Sequence, residues 1–306
     1  MNELSPIVLF VYNRLDHTSK TINSLKSNFL ANKSILYIYS DAPKNEKDTE
    51  SVLLVRAFLK KIIGFKKIFI IEREKNWGLA NSIINGVTKI VNEYGKIIVL
   101  EDDLVTSKYF LNFMNEGLDI YNHDQEVASI HGYLYPIKKK LPNSFFIKGS
   151  DCWGWATWKR AWELFEKDGS RLLYDLKKSG KEKQANFNYS YNYTKMLKRH
   201  IKGTNDSWAI RWYMSTFLKN KLTLYPGKSL VSNIGMDDSG VHNGFSKKFI
   251  INLENNYKTL EKINIEENKQ ARKYFEVFFW TLKLDFIPKI INKLRTNYAK
   301  YFNKRN

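Results

Sequence analysis

The feature that most constrains this chain is a repeated alternation. Over roughly the first 130 residues, short apolar runs give way to stretches of helical periodicity, again and again. Pro6–Tyr12 (PIVLFVY), Ser34–Ser40 (SILYIYS), Lys67–Glu72 (KIFIIE), Lys96–Leu100 (KIIVL) and Glu126–His131 read as strands. Runs this apolar, with little alternation of polar residues, are the mark of strands covered on both faces. Between them, Asp16–Leu25, Thr49–Ile63, Leu79–Val91 and Ser107–Tyr121 read as helices. Val52, Val55, Leu59 and Ile63 recur at helical spacing before Gly64, and Phe110, Phe113, Leu118 and Tyr121 form another apolar face. Strand and helix in turn predict an α/β fold with a mostly parallel sheet joined by right-handed crossovers. Such sheets bind ligands beyond the carboxyl ends of their strands. The residues to examine are therefore Asn13 and Arg14, Asp41, Arg73 to Gly78, and Glu101-Asp102-Asp103.

Composition narrows the choice. With 306 residues, 43% hydrophobic and 15% aromatic, the chain can bury a sizeable core and is not a disordered or collagen-like polymer. A single cysteine, Cys152, excludes an internal disulfide and a cysteine-rich zinc site, and fits a reducing compartment. The five histidines (17, 123, 131, 200, 242) are too scattered for a histidine-built zinc centre. Met1–Pro6 lacks the basic and apolar regions of a signal peptide, and no stretch reaches the roughly 18 apolar residues of a membrane span. The net charge of +19 asks for an anionic partner: nucleic acid, a phosphorylated ligand or an anionic lipid surface.

Three regions emerge. Residues 1–131 form the alternating half, with the candidate ligand loops. Residues 132–250 carry a tight group of Trp153, Trp155, Trp158 and Trp162 and a Lys- and Tyr-rich stretch, and are expected to pack on the first half as its acceptor-binding side. Residues 251–306 are basic. Phe275, Phe278, Phe279 and Leu282 share one helical face, and Pro288 opens a second helix with Ile287, Ile290, Ile291, Leu294 and Tyr298 on one side. From 271 to 306, nine Lys and Arg face two acids, a local charge of +7. This segment reads either as a peripheral membrane anchor or as helices packed on the domain or on a second copy.

The sharpest chemistry is Ile98-Val99-Leu100-Glu101-Asp102-Asp103-Leu104. An apolar strand ends in three acids, and adjacent carboxylates repel unless they hold protons or a cation. Hard oxygen ligands suit Mg²⁺ or Mn²⁺, which neutralise a diphosphate leaving group as a Lewis acid. The alternative is a solvated acidic turn that caps the next helix. In Gly149–Trp158, the indole faces of Trp153 and Trp155 could stack on a sugar with Gly154 permitting close approach, or the tryptophans could be core; Trp158 and Trp162 are read as core. Asp206 in Asn205-Asp206-Ser207-Trp208 is either a general base or the N-cap of the following helix. Asn233–His242 is a polar, glycine-rich loop in which His242 is a candidate metal or diphosphate contact, and Asp237 and Asp238 are rivals to Asp206. Pro226-Gly227-Lys228-Ser229 ends like a P-loop, but Leu222 stands where its first glycine is required.

A βαβ array ending in Glu-Asp-Asp resembles the GT-A glycosyltransferases, specifically family-2-like bacterial sugar transferases and the N-acetylglucosaminyltransferase I group. Pro6–Arg14, Tyr39-Ser40-Asp41 and Asn76–Ser82 (NWGLANS) are similar to that fold's nucleotide-binding segments and occur in the same order, so the resemblance spans roughly residues 5–245. It implies an inverting, metal-dependent transfer from a UDP-sugar to a glycan or lipid-linked acceptor in bacterial surface polysaccharide or lipopolysaccharide synthesis, at the cytoplasmic face of the membrane. It implies that Asp103, with His242, ligates Mn²⁺ or Mg²⁺. Asp102 would contact ribose and sugar, Glu101 the sugar or the metal's surroundings, Asp41 the uracil imide and Arg14 the diphosphate. Asn13, Asn76, Gly78 and Asn81 would line the nucleotide. Trp153, Gly154 and Trp155 would lie under the donor sugar, and Asp206 would be the base. Competing readings are a nucleic-acid-binding protein, which lacks any RRM, zinc-finger or helix-turn-helix signature, a catalytically inactive sugar-binding relative, and a nucleotidyltransferase, which lacks the Gly-rich basic loop after the first strand.

Overall fold

The protein is described from a computed structural model, covering residues 3–237, 247–249, 251–254, 256 and 258–284. Its first half is β1 (Ile7–Val11), α1 (Leu15–Lys26), β2 (Ile35–Ser40), α2 (Thr49–Leu59), β3 (Lys67–Glu72), α3 (Leu79–Tyr94), β4 (Lys96–Glu101), β5 (Leu104–Thr106), α4 (Phe110–Ile120) and β6 (Val127–His131). The second half is β7 (Ser144–Lys148), β8 (Trp155–Trp158), α5 (Lys159–Trp162), α6 (Gly169–Ser179), α7 (Glu182–Ala185), α8 (Tyr193–Ile201), α9 (Trp208–Leu218), β9 (Leu222–Pro226), β10 (Val231–Asn233) and α10 (Lys269–Leu284).

Eight strands form one sheet in the order β3-β2-β1-β4-β8-β6-β9-β7, and β5 pairs with β10 in a small second sheet. The half from β3 to β4 is parallel throughout. Beyond it the expected parallel pattern fails: β8 runs antiparallel between β4 and β6, β6 is parallel to β9, and β7 closes the edge antiparallel to β9. Every residue of β1 is buried, as its uninterrupted apolar run requires. Helix α3 presents Ala80, Ile83, Val87, Ile90 and Val91 to the sheet. Gly86 lets it come close, because a Cβ there would lie 2.8 Å from the Phe10 ring.

Two boundaries differ from expectation. Helix α2 stops at Leu59, and Ile63, expected on its buried face, is 70% exposed. The turn that follows instead lets the Lys66 amide bond the Ser34 carbonyl at 3.0 Å, which sets β3 beside β2. At the other end, α10 packs on the domain. Phe275 and Phe279 are fully buried, with rings against Tyr135, Phe145, Phe187 and Tyr225. Residues 285–306, including the expected helix after Pro288, lie outside the described residues. Among the described residues, no helix is long and apolar enough to cross a membrane.

Candidate active site

Strand β4 lies inside the sheet between β1 and β8, and its apolar residues Ile97–Leu100 are buried. Burial continues into the acids, with Asp102 buried and Glu101 and Asp103 partly so. Glu101 still stands opposite Phe10 of β1, and the chain then turns, held from two sides. Thr21 Oγ1 on α1 donates to the Asp102 carbonyl at 2.8 Å, and the Ile234 amide donates to the Asp103 carbonyl at 2.9 Å. The next residue, Gly235, lies so close that a Cβ there would meet Asp103 Oδ2 at 2.1 Å. His17 Nε2 stands 3.1 Å from Asp237 Oδ2, tying the same segment to α1. Gly235, Thr21 and His17 were not singled out by the sequence reading. They serve as a frame for the acids, and no local motif marks them.

Arg14 converges on the acids from the end of β1. Its Nη2 donates to Asp102 Oδ1 and, at 2.8 Å, to Asp103 Oδ2. The two carboxylates therefore point at one spot already filled by a positive charge. Burial pushes the Glu101 carboxyl well above the usual carboxylate range, and repulsion from Asp103 and Asp102 pushes the same way. Asp102 is also raised by burial, with Arg14 opposing. Among the described residues no three His, Cys, Asp or Glu side chains form a complete metal cage. Asp102 and Asp103 nevertheless fit a hard divalent cation, because two carboxylate oxygens already surround a stand-in cation; diphosphate oxygens and water would have to supply the other ligands. His242, the expected further ligand, and Asp238 lie outside the described residues.

The expected nucleoside side is assembled at the ends of β2 and β3. Asp41 is buried, and its carboxylate accepts from the amides of Ala42 (3.0 Å), Trp77 (2.9 Å) and Gly78 (2.9 Å). Asn76 Nδ2 donates to the Ala42 carbonyl at 2.7 Å, and Asn81 Nδ2 to the Trp77 carbonyl at 2.9 Å. Gly78, at φ +71°, lets the chain turn into α3 while its amide faces Asp41. These residues thus come together as one loop scaffold with Asp41 at its centre. Asn13, just after β1, donates from its Nδ2 to Asp48 Oδ1 at 3.1 Å, on the connection that follows β2. Arg73, the residue directly after β3, has no expected role of its own. Its guanidinium lies 3.9 Å from the Trp77 ring centre and 5.0 Å from that of Tyr39.

The tryptophan segment divides. Trp153 is partly buried, edge-on to Tyr133 at 4.7 Å and to Phe249 at 5.6 Å. Trp155 is wholly buried among Trp162, Trp208 and Trp212, with centroids 5.4–5.8 Å away. Its expected place under a donor sugar is corrected: no face of the indole is open to a ligand. Gly154, at φ +69°, serves packing too, because a Cβ there would lie 2.7 Å from Val231. Asp151, unassigned by the sequence reading, accepts from Tyr135 Oη at 2.8 Å and the Cys152 amide at 2.9 Å. Burial raises the Cys152 thiol, and the charges of Asp151, Glu101 and Asp103 raise it further.

Asp206 is not the helix cap; Ser207 is, its hydroxyl accepting from the Ile210 amide at 3.2 Å. The Asp206 side chain is 63% exposed, with Oδ1 3.4 Å from Arg211 Nη2. Trp208, in the first turn of α9, stacks on Trp155, which stands opposite Val99 near the carboxyl end of β4. The start of α9 therefore packs over β8, the neighbour of β4.

Residues 7–213 match the family model described as Glycosyl transferase family 2. The chain belongs to glycosyl transferase family 2. The α/β sheet with acids at the end of β4 is its GT-A-type scaffold. No curated protein matches the chain. Among solved structures it is similar to a mannosyltransferase from Pyrobaculum calidifontis in complex with GDP-Man and Mn²⁺, at 10% identity and a TM-score of 0.33 over 45% of this chain and 38% of that one. It is also similar to TarS from S. aureus, at 11% identity and a TM-score of 0.31 over 48% of this chain and 25% of that one. The chain thus matches well under two thirds of the length of either neighbour.

Proposed function

We propose that this glycosyltransferase is an inverting, divalent-metal-dependent enzyme that moves a hexosyl or N-acetylhexosaminyl group from a UDP-sugar to a glycan or lipid-linked acceptor. The pathway we infer is synthesis of a bacterial surface polysaccharide or lipopolysaccharide. The observation that carries the reading is the convergence of Asp102 and Asp103 on one guanidinium nitrogen at the end of β4. Two carboxylates aimed at a single cationic position suit Mn²⁺ or Mg²⁺. When bound, such an ion neutralises charge developing on the diphosphate.

The chain's own groups take the remaining roles. Arg14, at the mouth of the site, pairs with diphosphate oxygens through its planar fork. Asp41 holds the Trp77–Gly78 turn through both carboxylate oxygens and marks the place of the uracil imide. Trp153, partly exposed, contacts the donor sugar, and Asp206 takes the proton of the acceptor hydroxyl. That oxygen attacks the anomeric carbon as the carbon–diphosphate bond breaks on the opposite face, and UDP leaves with the bonding pair. The basic segment after α10 is suited to an anionic membrane surface, placing the enzyme at the cytoplasmic face; each Lys or Arg close to such a surface contributes about 1 kcal/mol.

A thermal-shift panel of UDP-, GDP- and other nucleotide sugars, with Mn²⁺, Mg²⁺ or EDTA, tests the reading. A ligand at 100 times its dissociation constant stabilises by about 2.7 kcal/mol. Metal-dependent stabilisation by a UDP-sugar, lost in Asp103→Ala, is the expected result. Stabilisation that EDTA leaves intact would remove the metal, and stabilisation only by another nucleotide would replace the donor.

A further inference from the structure

The carboxylates suited to a divalent cation are closed on a cation that the chain itself supplies. Arg14 lies at the end of β1 and the two acids follow β4, 88 and 89 residues away. A single nitrogen, Nη2, bonds both, and the side chains are only 21% (Arg14), 8% (Asp102) and 15% (Asp103) exposed, so water screens the contact weakly. The backbone on both sides is fixed. Thr21 and Ile234 hold the acid turn, and α1 begins at the residue after Arg14. Only the Arg14 side chain has to move for the acids to open.

We propose that Arg14 is a built-in counter-ion that keeps the cation site shut until a nucleoside diphosphate draws its guanidinium away. This rests on the metal-dependent reading above and adds an order to it. A divalent ion and a guanidinium cannot share the same two oxygens, because like charges at that separation repel and each needs the lone pairs the other uses. A diphosphate offers the guanidinium a second set of anionic oxygens in matching fork geometry. Once Arg14 pairs there, Asp102 and Asp103 are released to the ion. Nucleotide and metal then strengthen one another by the same factor, since binding linkage is reciprocal. Metal alone would be held poorly, and an ion would not be trapped in an enzyme without donor.

Mn²⁺ titration of the full chain tests this, with free Mn²⁺ followed by its electron paramagnetic resonance signal, alone and in the presence of UDP or inorganic pyrophosphate. For the wild type, Mn²⁺ affinity should rise at least about fivefold with UDP, within the range of ordinary coupling between sites. Arg14→Met should tighten Mn²⁺ binding without nucleotide by a comparable factor and shrink the gain from UDP. Arg14→Lys keeps the charge and serves as the second variant if Arg14→Met fails to fold; lacking the fork, it should bind Mn²⁺ without nucleotide more tightly than the wild type and less tightly than Arg14→Met. If the variants bind Mn²⁺ without nucleotide no better than the wild type while UDP still tightens it in the wild type, the counter-ion role is wrong and the metal-dependent reading stands. If Mn²⁺ binds none of the proteins under any condition, that reading falls and takes the counter-ion role with it.

Discussion

Glu101→Gln should make this protein more stable, and by an amount that depends on pH. Burial, reinforced by Asp103 and Asp102, pushes the Glu101 carboxyl from its ordinary 4.5 up to about 8. Between those values the folded chain binds a proton that the unfolded chain has released, so stability falls as pH rises through that interval. At pH 7 the penalty is limited by the 2.5 units between 4.5 and ambient pH; at 1.36 kcal/mol per unit it is about 3 kcal/mol. Glutamine keeps the shape and cannot ionise. For a chain of this size, 1 kcal/mol moves the melting temperature by about 2–4 °C, so the variant should melt about 6–12 °C higher at pH 7. The assay is calorimetric melting of both proteins at pH 4.5, 6, 7 and 8. The difference should be smallest at pH 4.5 and grow through pH 6 and 7 towards pH 8. A difference independent of pH, or a variant that melts lower at pH 8, would refute the assignment of buried charge repulsion at this position.

Asp206→Asn should leave the UDP-sugar thermal shift intact and abolish transfer, measured by release of UDP in the presence of acceptor; full turnover would pass the base role to another carboxylate. Phe275→Ala should destabilise by about 3–5 kcal/mol, the usual cost of emptying a buried phenylalanine site, read by denaturant titration. A loss below about 1 kcal/mol would mean that α10 is dispensable to the core.

The sequence was most informative where both faces of a strand are covered. Strand β1 and the Ile97–Leu100 run of β4 are continuously apolar because both are buried inside the sheet, and the acids that end β4 stand out against them. The second half was harder, because β8 is only four residues long and inserts between β4 and β6. Trp155 illustrates why. An indole is equally suited to stacking on a sugar and to filling a core, and Trp208 and Trp212, which decide the matter, lie more than fifty residues further on. Asp41 was recognised as a strand-end acid, but the amides that occupy it are backbone groups with no sequence signature. Asp206 and Ser207 are both good capping residues, and composition does not distinguish neighbours of the same kind. The contact of Arg14 with Asp102 and Asp103 was the least legible, because it joins two strand ends that only the sheet order brings together.

The strand order also bears on how the chain is made. Strand β4 can pair with β1 as soon as residue 101 is synthesised, but its other edge has no partner until β8, at Trp155–Trp158, has emerged. Strand β6 waits longer still, for β9 at Leu222–Pro226. During vectorial synthesis a four-strand parallel unit therefore stands with one hydrophobic edge open, the acid-bearing strand at its border. Unpaired edges of this kind invite pairing with other chains. Slow elongation between residues 101 and 158, or a chaperone bound during that interval, would bear directly on how much folded protein a cell obtains.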